Sequence, residues 1–437
     1  MAKRVYNADS IQILDNDRDR VRKRPTIYIP SKDERGSMHL IFEIIDNSID
    51  ELSVSGSVGD NVTTTFDTET KVFTVVDNGS GIPQQKLLDA CTILNSSGKF
   101  DNSESSSYEY SGGTNGCGLK CCVFLSEWCE VSSMQKGKKL TYKFKDGILA
   151  DTIEEKCKDH GTVVKAKIDN SIIKTAKLSY KELVSRYEEK SYLFPDISMT
   201  LVIQANGKTK KKYNFTGKTI VDRVEMMKPD TDIIYGKSNE KVTILENIDD
   251  DNLTTKKVPV EFALAFSEEA VEEEDSNEKI ISYGNTIKTY TGGQHVQGLR
   301  DGVVKYFRND LQQTLNKRDR ELPFAPSDIY SGICGFVCAK VHTPDFKGQY
   351  KDELMNPEVR IAVRDVVYDT LKDSKPAFQK KMGEFIVRVA RGRLESKKAR
   401  TKAKDVSNSF SKDRIKKYWP IIRTANTFEA ELILVEG

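Results

Sequence analysis

Residues 42–52 read FEIIDNSIDEL, and this stretch limits the fold more than any other. Glu43, Asn47 and Asp50 recur at i, i+4 and i+7, so on a helix they share one side. Ile41, Ile44, Ile45, Ile49 and Leu52 occupy most of the other turns, so the helix is expected to pack into a core. A carboxylate beside an amide on so apolar a helix has two explanations. Either the polar side is an ordinary solvated face, or it lines a pocket.

Length and charge narrow the setting without choosing between these. A chain of 437 residues is expected to fold as two or three domains. The 68 basic and 66 acidic residues leave +2 overall, so any basic surface must be local. The eight cysteines have no metal-ligand spacing and read as reduced, partly buried thiols. No stretch is apolar for a membrane-spanning length, so the chain reads as cytoplasmic.

The pattern changes along the chain. Residues 71–79 and 161–169 read as strands, and 197–215 as a hairpin turning at Asn206-Gly207. A polar Gly/Ser-rich loop covers 96–116, long enough for a lid or binding loop. Beyond about 216, an apolar strand runs into the acidic residues Glu268–Glu278. Amphipathic helices follow near 301–316 and 358–371, and a basic helix spans 380–404.

Three segments can be read chemically. In the helix at 42–52 a carboxylate can polarise an attacking water, and an amide oxygen can reach a phosphate-bound metal. In VVDNGSGIP (75–83) an aspartate ending a buried strand can accept from an amino group of a base, while the glycines admit close backbone approach. In SGGTNGCGLK (111–120) glycines ahead of a helix can aim backbone N–H groups at phosphate oxygens. It is not a Walker A loop. Taken singly, each has a plain alternative: a solvated helix face, a strand-to-turn junction or a flexible linker.

In this order the three segments resemble the GHKL ATPase class, which joins type II topoisomerases, heat-shock chaperones, mismatch-repair proteins and histidine kinases. Outside the shared core, VRKRPTIYI (21–29), GGQHVQG (292–298), FKGQYKDEL (346–354) and LILVEG (432–437) resemble, in turn, four parts of the type IIA topoisomerase family of DNA gyrase B subunits. These are its entry segment, the opening of its transducer, the Gln-x-Lys loop and the start of its TOPRIM domain. The resemblance implies an α+β chain with three parts. A GHKL (Bergerat) sandwich of mixed sheet and helices would cover 1–215. An α/β transducer of ribosomal protein S5-like type would cover 216–395, and a basic helix and linker 396–437.

The same resemblance implies roles. Glu43 would be the general base, and Asn47 would hold Mg²⁺ against the triphosphate of ATP. Asp77 would bind the adenine amino group with Thr162 behind it and Gly81 and Ile82 beside it. Gly113, Asn115, Gly116, Cys117, Gly118 and Leu119 would cradle phosphates, with Lys99, Tyr108 and Lys120 also within reach. Gln349 and Lys351 would enter from the second domain to the γ-phosphate. Tyr6 would sit in an arm crossing to the other protomer of a homodimer closed by ATP. Glu436 would be the first carboxylate of an incomplete TOPRIM metal site, so this chain alone is expected to cut no DNA; cleavage would belong to a further domain or subunit.

Double-stranded DNA is the implied partner, bound without sequence preference. Arg388, Arg391, Arg393, Lys397, Lys398 and Arg400 could neutralise its phosphates, and a solvated basic helix is the alternative. Ser80 stands where the family usually carries Arg over the adenine. GTNGCGLK (113–120) lies between the gyrase pattern and the eukaryotic RNGYGAK, and such mixing suits a viral or phage member. A chaperone or mismatch-repair protein would share Glu43 and Asp77 but has no reason to end in LILVEG. A phosphotransfer kinase would need a helical phosphoacceptor, and His39, His160, His295 and His342 lack that context.

Overall fold

The structure is a computed structural model that describes residues 14–54, 56–96, 98, 110, 116–175, 178–245, 253–268, 279–348 and 351–416. Helix α1 (Asp17–Lys23) leads to α2 (Glu34–Leu52), whose first turn is closed by the Asp33 carboxylate accepting from the Arg35 N–H. Strands β1 (Asn61–Asp67) and β2 (Val72–Asp77) precede the short helices α3 (Leu87–Thr92) and α4 (Gly118–Phe124). Then come β3 (Ser126–Gln135), β4 (Lys138–Lys145), β5 (Ile148–Lys156) and β6 (Gly161–Ile168). Helix α5 (Tyr180–Leu193) and the hairpin β7 (Ser198–Ala205) and β8 (Lys208–Phe215) complete the first unit.

These eight strands form one sheet in the order β5-β4-β3-β6-β2-β1-β7-β8. It is mixed, because β1 and β7 run parallel while the other neighbours are antiparallel. Alternation in β2 buries Phe73, Val75 and Asp77 and leaves Val72, Thr74 and Val76 half-buried. The buried set meets Ile41, Ile44, Ile45 and Ile49 of α2 in one core. Asp77 therefore faces the helix layer for the same reason that Val75 does. Asn206 and Gly207 both have positive φ (50° and 75°), as the two-residue turn joining β7 to β8 requires.

Helix α6 (Ile220–Glu225) leads to β9 (Ile234–Leu245), β10 (Leu253–Phe266), β11 (Ile280–Gly284), β12 (Ile287–Lys288) and the two-residue β13 (Gly292–Gly293). Helix α7 (Gln294–Tyr306), β14 (Ile333–Ala339), β15 (Glu353–Leu354), α8 (Pro357–Lys372) and α9 (Pro376–Lys416) follow. The second sheet runs β12-β11-β14-β10-β9, and β13 pairs with β15 apart from it.

Strand β14 is buried throughout because both faces of this sheet are covered. Phe262, Leu264 and Val337 pack with Val303 of α7 and Val363 and Val367 of α8. Ala263, Ala265 and Phe336 face the opposite way, onto Tyr192 of α5 and Ile220 and Val224 of α6. The second sheet thus rests on a helix of the first unit.

The strands read at 71–79 and 161–169, the hairpin at 197–215 and the helix near 358–371 lie where their patterns put them, and three other helices run longer than theirs: α2 already begins at Glu34. The helix expected from 301 begins earlier, at Gln294, and continues through a wider turn at Phe307–Leu311. The basic helix extends past both expected ends, as α9. None of the eight cysteines is in a disulfide. Among the described residues no helix is long and apolar enough to cross a membrane.

Candidate active site

A cavity of about 970 Å³ opens above the first sheet and is lined by parts of both units. Helix α2 supplies Glu43, Asp46, Asn47, Ser48 and Glu51, and the turn after β2 supplies Ser80, Gly81 and Ile82. Gly116, Cys117, Gly118, Leu119 and Lys120 come from the start of α4, and Lys351 comes from the second unit.

Asp77 lies at the base of this space, 4% exposed. Its Oδ2 accepts from the Ser48 hydroxyl at 2.8 Å. Its Oδ1 accepts from the backbone N–H of Thr162 at 3.0 Å and of Gly79 at 3.1 Å. Burial pushes its pKa above the usual carboxylate range against these donors. Thr162 thus supports Asp77 through its backbone. The next turn is held as firmly: Ser80 donates its N–H to Glu51 at 3.0 Å, and the Gln135 amide donates to the Ser80 and Gly81 carbonyls at 2.8 Å. Gly81 has φ +74°, and an added Cβ would lie 3.0 Å from the Gly161 and Met134 carbonyl oxygens, so no side chain fits.

At the other end, His39 stands one turn before Glu43 on α2, with Nε2 3.6 Å from Oε1. Both side chains are roughly one-third exposed, so water reaches the carboxylate. The backbone of Gly118 abuts that carboxylate, because an added Cβ would come 2.3 Å from Oε2. Lys120 is buried, and its ammonium donates to the Ser96 carbonyl at 2.5 Å. Cys117 reaches Asn95 through its thiol at 3.4 Å.

The polar stripe on α2 is broader than its sequence spacing suggests, and it ends differently. Asp50 is 3% exposed and does not line the cavity, whereas Glu51 does. Asp50 instead falls in the field of the fully buried Lys190 of α5. Asp46, which the spacing overlooks, pairs with Arg186 and, at 3.1 Å, with Lys190. Burial opposes its charge, but Arg186 and Lys190 outweigh that cost and hold its carboxyl below the usual range. Arg186 and Lys190 are four apart on α5, and nothing local in the sequence points them at α2.

Tyr6, Lys99, Tyr108, Gly113, Asn115, Gln349 and Glu436 lie outside the described residues. Among the described residues no cluster of three or more His, Cys, Asp or Glu could hold a metal. Three of the six cations expected to meet DNA are engaged within the chain. Arg388 pairs with Glu268, Arg391 with Asp319, and Arg393 with Asp328 at 2.6 Å. Lys397, Lys398 and Arg400 are exposed.

Comparison with known proteins settles the family. Residues 32–171 match the family described as "Histidine kinase-, DNA gyrase B-, and HSP90-like ATPase", and residues 203–406 match "DNA gyrase B". The DNA gyrase B protein of Spiroplasma citri is 30% identical over 453 aligned positions, covering 99% of this chain and 67% of that protein.

The chain belongs to the DNA gyrase B family.

The DNA gyrase B protein of Thermotoga maritima is 31% identical over 412 positions, 90% of this chain and 61% of that protein. The chain thus spans about three fifths of that relative's length. The 43K ATPase domain of Thermus thermophilus gyrase B, solved with an aminocoumarin, shares the fold at TM-score 0.64 and 23% identity, covering 88% of this chain and 98% of that one. The chain therefore joins a histidine kinase-, DNA gyrase B- and HSP90-like ATPase region to a DNA gyrase B region, as its motifs implied.

Proposed function

We propose that the cavity binds ATP with Mg²⁺ and hydrolyses it to drive a homodimeric gate that closes around a DNA duplex. The observation that carries this reading is the placement of Asp77. It is a buried carboxylate with both oxygens held by donors, in the same cavity as Glu43, Asn47 and Lys351.

In this reading Asp77 accepts from the exocyclic amino group of adenine, with Gly81, Ile82 and Thr162 forming the wall around the base. A carboxylate already oriented by three donors loses little freedom on binding. Glu43 takes a proton from the attacking water, and His39 beside it steadies the carboxylate. Gly116, Cys117, Gly118 and Leu119 present backbone N–H groups to the phosphates, while Lys120 ties the lid at Ser96.

The residues fit Mg²⁺, which keeps several waters and takes few protein ligands besides substrate phosphates. Asn47 would hold it, and when bound it would neutralise charge on the β- and γ-phosphates. Lys351 supplies a fixed cation where negative charge gathers as the phosphoryl group leaves, and Gln349 would add a neutral amide donor.

ATP favours the closed dimer only through a higher affinity for that state, and an arm bearing Tyr6 would make part of the difference. Lys397, Lys398 and Arg400 would contact duplex phosphates without reading sequence. Cleavage and passage would require a further topoisomerase domain or subunit, in the cytoplasm where the DNA is held. The test is Glu43→Ala. ATP should still bind, while turnover falls ~10²–10⁴-fold in a coupled phosphate-release assay. Undiminished hydrolysis would remove Glu43 from the reaction.

A further inference from the structure

The Gly292–Gly293 pair contributes no side chain to the cavity, yet its geometry bears on Lys351. Residues 345–348 and 351–356 run back alongside each other. Phe346 bridges Leu354, the Lys347 N–H donates to the Glu353 carbonyl at 2.9 Å, and the Met355 N–H donates to the Asp345 carbonyl at 2.8 Å. Near the tip, Gly348 and Lys351 both have positive φ, 69° and 58°. For a lysine that backbone conformation is uncommon and persists only where its surroundings impose it.

Those surroundings are β13. Gly292 and Gly293 pair in parallel with Glu353 and Leu354. Thr291 donates twice to the Asp352 carbonyl, through its N–H and its hydroxyl, each at 3.0 Å. Asp352 is the residue next to Lys351. Gly293 has φ +138°, and an added Cβ would lie 2.4 Å from the Leu354 carbonyl oxygen and 2.5 Å from its nitrogen. Both are backbone atoms, so neither can rotate away. The strand is itself anchored, since the fully buried His295 meets the Thr289 hydroxyl at 2.9 Å, and Thr289 meets the Ser282 hydroxyl at 2.6 Å.

We infer that Thr291 and Gly293 are positioning residues for ATP turnover: they clamp residues 352–354 so that Lys351 is presented to the cavity. The inference rests on the reading of Lys351 given above. It requires that disturbing β13 slow turnover without weakening nucleotide binding.

The experiment compares the whole chain with its Gly293→Ala, Thr291→Val, Thr291→Ser and Lys351→Ala variants. It measures kcat and KM for ATP, affinity for a non-hydrolysable ATP analogue, and thermal melting. Gly293→Ala should lower kcat on the order of 10²-fold, the cost of a misplacement of about 1 Å, with analogue affinity unchanged. Combined with Lys351→Ala it should be no slower than Lys351→Ala alone, because both remove one contribution. Thr291→Val should lose roughly 5-fold in kcat, the worth of one hydrogen bond, and Thr291→Ser should restore it.

A wild-type kcat in Gly293→Ala, losses that add to those of Lys351→Ala, or analogue affinity falling with kcat would each overturn the inference. If Gly293→Ala fails to fold, Thr291→Val decides alone, and a normal rate there is equally fatal. Normal turnover by Lys351→Ala would instead reject the role of Lys351 itself, and this inference with it.

Discussion

On the first-sheet side of the cavity, Glu43, Asn47, Ser48 and Asp77 sit on one helix and the strand packed beneath it, and their separations follow from a shared core. On the other side, Lys351 arrives on a hairpin of the second unit, and its position follows from how that unit rests on α5 and how β13 grips β15. The contrast separates recognition from turnover. The first side holds what would bind a nucleotide within one rigid body. The second holds the cation that would complete the reaction, so on the proposed reading the rate would depend on the joint between units in a way that affinity would not.

The joint is the place to break the comparison most severely. Lys190 of α5 is fully buried, pairs with Asp46 of α2 and donates to the Thr286 carbonyl in the second unit. Lys190→Ala leaves Asp46 short of one partner, and chemical denaturation should show a loss of ~3–5 kcal/mol. A change within error would mean that the link is incidental. Next in size, Lys351→Ala should lower kcat ~10²–10³-fold with analogue affinity intact. A comparable loss of affinity would erase the division between the two sides.

Asp77→Asn tests the first side. Calorimetry should find ATP binding weakened by ~1.5–3 kcal/mol, the range for hydrogen bonds to a charged group, with turnover at saturating ATP changed much less. Unchanged affinity would place the base elsewhere.

A separate test, within the second unit, concerns pH. Burial pushes the pKa of His295 from 6.5 down to about 3. The unfolded chain therefore takes up this proton first as pH falls. The stability tied to neutral His295 is complete above pH 6.5 and is lost progressively towards pH 3. His295→Gln should flatten the fall in melting stability between those limits by up to ~1.4 kcal/mol per pH unit. An unaltered slope would show that other groups govern the acid side.

Much of this is legible in the sequence, for identifiable reasons. Asp77 can be read because a period-2 strand carries its last residue onto the same face as Phe73 and Val75. The Asn206-Gly207 turn can be read because its backbone demands positive φ at both positions. Asp46 escapes because it falls outside the i, i+4, i+7 series, although its place three residues after Glu43 puts it on the flank of the same stripe. Arg186 and Lys190 have no local signal, since their partners lie on other elements. The basic run 388–400 is only partly legible: charge counts do not reveal that Glu268, Asp319 and Asp328 lie opposite three of its arginines.

By itself, the amino-acid order determined the family, the two sheets, and the helix and strand end that carry Glu43, Asn47 and Asp77. The elements depend on periodicity and turn chemistry acting over a few residues, and the family on the resemblance carried by several short motifs in order. Only the tertiary structure decided that Asp46 rather than Asp50 meets Arg186, that Lys190 joins the two units, and that a pair of glycines grips the strand beside Lys351. Pairings between distant segments are set by packing and burial, and no short window of sequence contains both partners.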